Sequence, residues 1–298
     1  MMSSIVDREW NRRQFLKAAL AVAGGIVNVE PQECWGAERD EATQWAFLSD
    51  IHISHNRKNH YRGFTPYRNL QTVIDQVLPS QPEGVVITGD IARLIGGAGD
   101  YKNAKGLLRP LTDRWPLYMA VGNHDSRGNF LRAFQDADPA MSASAGKHIV
   151  TVDAGPVRLV LLDSLLFINM SWGLVGGTQR AWLSEYLRFF DDKPVLVCIH
   201  HDFARGTSLL DARPLLNLVR PMPHVKAIVH GHSHSFHIME FDGIHIINLP
   251  ATGYNLHDED PIGWVEARLT PTEGRFVLHA IGGNTDQDGY TDTLRWRA

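Results

Sequence analysis

Trp45-Ala46-Phe47-Leu48-Ser49-Asp50-Ile51-His52 is the stretch that decides the fold. Its apolar half is typical of a strand buried on both faces, and it runs directly into Asp50 and His52, whose side chains can bind a metal ion. Because side chains two residues apart in an extended chain point to the same side, these two project together from the strand end. A pair of this kind also occurs in capped turns, so its meaning depends on the rest of the chain.

An apolar run that ends abruptly in polar residues recurs four times further along the chain. The runs lie at 85–87, 117–121, 195–199 and 225–229, and they lead into Gly89-Asp90, Gly122-Asn123-His124-Asp125, His200-His201 and Gly231-His232-Ser233-His234. Helical stretches predicted at about 67–78, 104–111, 178–190 and 214–220 separate the runs. Alternating strands and helices predict a layered α/β fold, in which ligands bind beyond the carboxyl ends of the strands.

Two pairs of antiparallel strands complete the predicted fold. Residues 148–152 pair with 157–162, and residues 263–269 pair with 275–281, each around a short turn. Because no Pro- or Ser-rich linker interrupts the chain, we expect residues 38–298 to form one domain.

The composition is that of an ordinary soluble globular protein. The chain has 298 residues, of which 44% are hydrophobic and 21% charged, and its net charge is -4. Without a continuous basic stripe, this balance predicts no nucleic acid as the main partner and disfavours a nuclease. The two cysteines, Cys34 and Cys198, support neither a disulfide framework nor a cysteine-based zinc site.

The N-terminus has the layout of an export signal. Arg12-Arg13 and Phe15-Leu16-Lys17 precede a short apolar stretch at 18–29, which is too short to span a membrane. This arrangement resembles a twin-arginine (Tat) signal, which directs folded proteins through the Tat export machinery to the periplasm. We therefore assign residues 1–37 to a signal peptide, with its end not fixed by the sequence. The alternative is an amphipathic helix with an incidental arginine pair.

The donor atoms of the five polar motifs are nitrogen and oxygen, with no thiolate. Such a set favours Mn, Fe, Zn, Co or Ni in five- or six-coordinate sites. Seven ligands are too many for one ion but suit two divalent or trivalent ions, if one carboxylate bridges them.

Taken together, the motifs resemble those of the calcineurin-like binuclear metallophosphoesterases, whose pattern D-x-H, G-D, G-N-H-D/E, H and G-H-x-H is complete here between about residues 44 and 250. The resemblance implies a layered β-sandwich flanked by helices, with the metals at the carboxyl ends of the strands. It implies one ion held by Asp50, His52, Asp90 and His234, and a second held by Asp90, Asn123, His200 and His232. It also makes His124 the catalytic residue near the leaving group, with Asp125 behind it.

The resemblance further implies an enzyme that hydrolyses a phosphate ester with a metal-bound hydroxide. Size and layout are similar to those of bacterial cyclic-nucleotide and glycerophosphodiester phosphodiesterases, which favours a small phosphodiester substrate. Phosphomonoester hydrolysis and a non-catalytic interaction module are the alternatives. One departure concerns Arg93, which stands where purple acid phosphatases carry a metal-binding tyrosine, so we expect no tyrosinate colour.

Loops over the strand ends are expected to give substrate specificity. Arg93, next to the bridging carboxylate, is predicted to pair with phosphate oxygens, and His55 and His201 are further predicted substrate contacts. The basic and aromatic residues at 54–68 suit either a substrate contact or a solvated loop. We expect residues 164–177 to form a mobile lid and residues 252–257 to border the same cleft.

Overall fold

Two mixed β-sheets packed face to face form the centre of the protein. The computed structural model describes residues 42–134, 141–144, 146–203 and 208–298. The predicted signal segment at 1–37 lies outside the described residues.

Within the residues that the structure describes, the first sheet has six strands in the order β13-β12-β11-β1-β2-β3. Its central strand β1 pairs in parallel with β2 and antiparallel with β11. The strands are β1 (Thr43–Leu48), β2 (Gly84–Ile87), β3 (Leu117–Met119), β11 (Pro261–Leu269), β12 (Glu273–Gly283) and β13 (Thr291–Arg295).

The described ranges contribute seven strands to the second sheet, in the order β4-β5-β6-β7-β8-β10-β9. Strands β6, β7, β8 and β10 run parallel to one another. The strands are β4 (Met141–Ser144), β5 (Lys147–Ala154), β6 (Val157–Leu161), β7 (Val195–Cys198), β8 (Val225–His230), β9 (His237–Phe241) and β10 (Ile244–Asn248).

In the described part of the chain, five α-helices cover the outer faces of the two sheets. They are α1 (Pro66–Ser80), α2 (Ala98–Thr112), α3 (Arg127–Phe134), α4 (Gly177–Phe189) and α5 (Ala212–Val219). Among the described residues, none of these helices combines the length and the hydrophobicity that a membrane crossing requires.

The alternation of side chains along the strands creates three layers of core. On β1, Ala46 and Leu48 pack against helices α1 to α3, whereas Trp45 and Phe47 point between the sheets. The outer face of the second sheet packs on α4 and α5. Because each central strand is buried on both faces, its sequence reads as a continuous apolar run. The predicted layered β-sandwich flanked by helices is confirmed.

The structure corrects several predicted element boundaries. Helix α2 begins at Ala98 rather than near 104, because the Asp100 carboxylate accepts a hydrogen bond from Gly97 N and caps a polar first turn. Helix α3 and strands β4, β9, β10 and β13 were not predicted. They are short or partly polar, so their sequence periodicity is weak.

The carboxyl ends of the parallel strands from both sheets meet at one edge. Thr252 N donates to Ser49 O (2.9 Å) and Gly253 N donates to Asp50 O (2.9 Å), which joins the segment after β10 to the end of β1. Gly231, at the end of β8, lies so close to the side chains of Ser49 and Asp50 that a Cβ atom would overlap them. The absence of a side chain at Gly231 therefore lets the second sheet approach the first at this edge.

Candidate metal centre

The predicted ligands lie on turns with unusual backbone geometry. Positive φ angles occur at Asp50 (50°), His52 (47°), Asp90 (51°), His232 (70°) and His234 (55°). A positive φ is unfavourable for residues other than glycine, and such strain is typical of functional sites. The surrounding hydrogen bonds therefore stabilise a backbone that aims these side chains at one point.

Three side chains form what we call the first half of the centre: Asp50, His52 and His234. His52 Nε2 lies 3.1 Å from His234 Nε2, which in turn lies 3.3 Å from Asp50 Oδ1. The other oxygen of Asp50 accepts hydrogen bonds from Ser49 Oγ and from His232 N, which fixes the carboxylate. The Oδ1 atom is buried and has no hydrogen-bond partner among the described residues.

Asn123, His200 and His232 form the second half. His200 Nε2 lies 3.1 Å from Asn123 Oδ1 and 3.3 Å from His232 Nδ1. His200 follows β7, His232 follows β8, and Asn123 belongs to the turn after β3. Three strands from two sheets therefore supply this half.

Asp90 lies between the two halves. Its Oδ2 is 3.7 Å from His52 Nε2 and 3.4 Å from His200 Nε2, whereas its Oδ1 accepts a hydrogen bond from His124 N (2.8 Å). One carboxylate oxygen thus faces ligands of both halves, as a bridging ligand must.

The donor arrangement fits a pair of metal ions. Two ligand atoms at right angles around one ion lie ~3 Å apart when each bond is ~2.1 Å. The distances of 3.1 to 3.3 Å between facing ring nitrogens and oxygens match this spacing. His234 Nδ1 lies 2.6 Å from the Tyr254 carbonyl oxygen, to which it donates, so its Nε2 carries a lone pair toward the centre. Facing lone pairs at this distance need a proton or a cation between them.

The negative charges of the two carboxylates also favour cation binding. Burial raises the pKa of Asp50 and of Asp90, but attraction to neighbouring histidines outweighs it, and both pKa values fall well below the usual range. Burial lowers the pKa of His52 to about 3 and the pKa of His232 to about 4. The pKa of His200 is lowered by burial but raised more by Asp90 and Asp50, to about 9. The two carboxylates are therefore charged at neutral pH and attract positive charge.

The structure gives Asp125 a different place from the one predicted. The Nδ1 atom of His124 lies 2.9 Å from Leu94 O rather than against Asp125. Asp125 is buried and accepts hydrogen bonds from the backbone of Gly122, Ile91 and Ala92 and from the Tyr101 hydroxyl. Burial and nearby Asp90 raise its pKa to about 7. Asp125 therefore fixes the turn that carries His124, and a backbone carbonyl orients the His124 ring.

An aromatic group covers the first half. The ring of Tyr254 stacks on His52 (4.7 Å between centroids, 27°) and contacts His234 (4.7 Å). The guanidinium of Arg93 lies over the rings of Tyr254 (5.1 Å) and Tyr61 (4.9 Å). From the sequence, Tyr254 is expected only at the border of the cleft. Its position after the apolar run at 244–249, which resembles the other motif positions, was the available signal.

The other two predicted substrate contacts lie elsewhere. His201 is fully buried, with Nδ1 2.7 Å from Ser164 Oγ and its ring packed against His200 and His232. Because His201 is buried behind the proposed ligands His200 and His232, the structure does not support a substrate contact by His201. The side chain of His55 is 78% exposed and lies 3.4 Å from Asp100 at the start of α2, which does not connect it to the ligands.

The predicted lid is anchored at both ends. Lys147 Nζ donates to Leu165 O (2.9 Å) and Leu174 O (2.6 Å). The Asp211 carboxylate accepts hydrogen bonds from Val175 N and Gly176 N (both 2.9 Å). These contacts indicate that the segment at 164–177 is held in place rather than acting as a mobile lid.

Residues 45–236 match the sequence profile of the calcineurin-like phosphoesterases, a span that includes all five motifs. The chain belongs to the calcineurin-like phosphoesterase family. Members of this family have a binuclear metal centre, and this phosphoesterase is accordingly a metal-dependent phosphoric ester hydrolase.

Curated relatives include two bacterial phosphodiesterases. The glycerophosphodiester phosphodiesterase GpdQ of Enterobacter lignolyticus is 29% identical over 216 residues, which cover 70% of this phosphoesterase and 76% of the relative. The 3',5'-cyclic adenosine monophosphate phosphodiesterase CpdA of Escherichia coli K12 is 27% identical over 216 residues, covering 69% and 74%.

Solved structures share the fold at low sequence identity. A dimetal phosphatase from Danio rerio superimposes with a TM-score of 0.63 at 16% identity, covering 85% of this phosphoesterase and 99% of that chain. The purple acid phosphatase PPD1 from yellow lupin gives a TM-score of 0.65 at 15% identity, covering 85% and 54%. At these identities the similarity shows the fold alone.

Proposed function

We propose that the protein hydrolyses a small phosphodiester at a dinuclear metal centre. The observation that carries the proposal is the convergence of both halves on Asp90 Oδ2, with His124 at their edge. One ion would be held by Asp50, His52, Asp90 and His234, and the other by Asp90, Asn123, His200 and His232. The relatives named as glycerophosphodiester and cyclic nucleotide phosphodiesterases support a diester over a monoester.

When bound, two metal ions lower the pKa of a shared water and neutralise phosphate oxygens. The chain itself supplies a positioned acid. With Nδ1 of His124 donating to the Leu94 carbonyl, Nε2 faces the centre, 4.0 Å from Asp90 Oδ2. Protonated at Nε2, His124 donates its proton to the leaving alkoxide as the P–O bond breaks.

Arg93 is the proposed contact for the substrate anion. Its guanidinium is half-buried and positioned by two tyrosine rings, and its Nε has no hydrogen-bond partner among the described residues. A guanidinium that is held in place and has no carboxylate partner in the described part of the chain is suited to bind phosphate oxygens in a bidentate manner.

A matched pair of substrates tests the reaction type. The metal-free protein is reconstituted separately with Mn²⁺, Zn²⁺, Co²⁺ and Fe²⁺, and kcat/KM is measured for bis(p-nitrophenyl) phosphate and for p-nitrophenyl phosphate. We expect the diester to be preferred by about tenfold or more, a difference of ~1.4 kcal/mol in transition-state stabilisation. A preference for the monoester would indicate a phosphomonoesterase. Full metal content without hydrolysis of either ester would indicate a non-catalytic module.

We further propose that residues 1–37 export the folded enzyme to the periplasm through the Tat machinery. The Arg12-Arg13 pair and the apolar stretch after it support this localisation. Replacing both arginines by lysine keeps the charge, and we expect the protein then to remain in the cytoplasmic fraction. Unchanged export of that variant would contradict the proposal.

A further inference from the structure

Exposed apolar side chains are concentrated on two loops. Among the described residues, twelve large apolar side chains are exposed, and six of them lie within 94–95 and 167–172. We call these six the apolar rim: Leu94, Ile95, Phe167, Ile168, Met170 and Trp172. Ile95 is 64% exposed, Phe167 62% and Trp172 50%. A cluster of this kind on a soluble protein is typical of a binding surface.

Both loops border the proposed catalytic residue. The carbonyl of Leu94 holds the His124 ring, and Asn169 N donates to the carbonyl of Asn123 (2.6 Å). The apolar rim is therefore continuous with the side of the metal centre where His124 protonates the leaving group. Arg93 directly precedes Leu94 in the chain, and its guanidinium lies over the Tyr254 ring, so a cationic group and the apolar rim both border the centre.

The backbone of both loops is fixed, although their side chains are exposed. The loop at 92–97 is held at one end by Ala92 N, which donates to Asp125 Oδ1 (3.0 Å), and at the other by Gly96 O, which accepts from Asn129 Nδ2 (2.6 Å). The loop at 164–176 has the anchors at Lys147 and Asp211 described above. Ordered loops that expose apolar side chains lower the entropic cost of binding an apolar ligand.

We propose that the apolar rim is a subsite for the leaving alcohol, and that the preferred substrate is a phosphodiester whose leaving alcohol carries an acyl chain or another apolar group. The inference rests on the proposed function. Water adds its hydroxyl group to phosphorus and releases its other proton to solvent, the P–O bond to the apolar alcohol breaks, and the alkoxide takes its proton from His124, which regains one from solvent. The products are the apolar alcohol and the phosphate monoester of the other substituent.

A pair of substrates that differ only in one acyl chain tests the subsite. These are sn-glycero-3-phosphoethanolamine and its 1-octanoyl derivative, both used below the concentration at which the derivative forms micelles. For the metal-reconstituted full-length protein we expect kcat/KM to be about tenfold or more higher for the octanoyl ester. The expected products are octanoylglycerol and phosphoethanolamine, because the acylated alcohol leaves on the His124 side.

Two variants test whether the preference for the octanoyl ester depends on the apolar rim or on any exposed apolar residue. In Phe167→Ser combined with Trp172→Ser, we expect the rate ratio between the two esters to fall toward one. The matched control is Phe241→Ser, which changes an exposed aromatic residue on β9, and we expect it to keep the wild-type ratio. All three side chains are exposed, so the substitutions leave the core intact.

Other outcomes would overturn the subsite in distinguishable ways. Equal kcat/KM for the two esters, or release of ethanolamine with octanoylglycerol phosphate, contradicts the subsite and leaves the proposed function standing. A preference that develops only above the micelle-forming concentration assigns the apolar rim to a lipid surface and overturns the leaving-group role. Hydrolysis of neither ester, nor of bis(p-nitrophenyl) phosphate, contradicts the proposed function as well.

Discussion

The two halves of the metal centre are supported by different parts of the chain. In the first half, His52 and His234 pack on the ring of Tyr254, whose carbonyl also orients His234. In the second half, His200 and His232 pack on His201, which contacts Ser164 at the base of the loop at 164–176. The first half therefore depends on the segment after β10, and the second on the loop that carries part of the apolar rim.

We therefore expect that the two proposed ions can be perturbed separately, although Asp90 faces both halves and the Asp50 carboxylate accepts a hydrogen bond from His232 N. Residues that pack on metal ligands orient those ligands. A substitution that disturbs the packing of one half should therefore change metal binding in that half and leave the other half unchanged. Loss of Asp90 should alter both. The four substitutions below either separate the halves or show that they act as a unit.

The largest effect is expected from Asp90→Asn. The amide keeps the shape but removes the charge that faces His52 and His200, so we expect both ions to be lost and kcat/KM to fall by at least ~10³-fold. Metal content by elemental analysis and kcat/KM are the measurements. Asp75→Asn, the same change at an exposed position on α1, is the control and should behave as wild type. Two retained ions with normal activity would disprove a bridging role.

His124→Ala should separate catalysis from metal binding. Because His124 is proposed to protonate the leaving group rather than hold an ion, we expect normal metal content and a kcat lowered by ~10²–10³-fold. The loss should be greater for alkyl esters than for p-nitrophenyl esters, whose leaving group needs little protonation. The comparison is His55→Ala, for which we expect wild-type kcat, since its exposed ring pairs with Asp100. A loss at His55 would restore the substrate contact predicted from the sequence.

Gly173→Ala should affect the second half alone. A Cβ atom at Gly173 would overlap the ring of His201, which packs on His200 and His232. We expect one ion to be retained and the affinity for the other to fall by roughly 10–100-fold, the range for residues that support metal ligands. Gly177→Ala, at the first residue of α4, is the matched control, because a Cβ atom there would meet only Arg180 Nη2, at 4.0 Å. Equal loss of both ions would show that the halves are not independent.

The fold and the positions of the ligands could be predicted because they depend on patterns within the sequence. Apolar runs of the length seen before Asp50 and His200 predict buried parallel strands, and the carboxyl ends of such strands share an edge. The bridging place of Asp90 is implied by the family resemblance, and in the structure Asp90 follows β2, which lies between β1 and β3. The assignment of the seven residues as ligands stays a prediction for the metal analyses above.

The contacts that hold the catalytic and ligand side chains in place could not be predicted, because they join segments that are distant in the sequence. The His124 ring is held by a carbonyl of Leu94, and a backbone oxygen has no signature in residue identity. Asp125 adjoins His124 in sequence, yet the turn points its side chain to the backbone of Ile91 and Ala92. Tyr254 lies 20 residues after His234, with β9 and β10 between them in the chain, yet its ring packs on His234.

The smallest effect is expected from Arg93→Met, which tests the chemistry of the first half. Methionine keeps much of the length that packs on Tyr61 and Tyr254 but removes the guanidinium, so we expect KM for bis(p-nitrophenyl) phosphate to rise about tenfold, with metal content unchanged and kcat little affected. Arg93→Lys should recover part of the loss, because the charge remains without the bidentate geometry. The control is Arg109→Met, at an exposed position on α2 that pairs with Asp113. An unchanged KM in Arg93→Met would mean that the guanidinium only packs on the two rings. Arg93 and the two tyrosine rings over the first half would then contribute shape rather than charge to substrate binding.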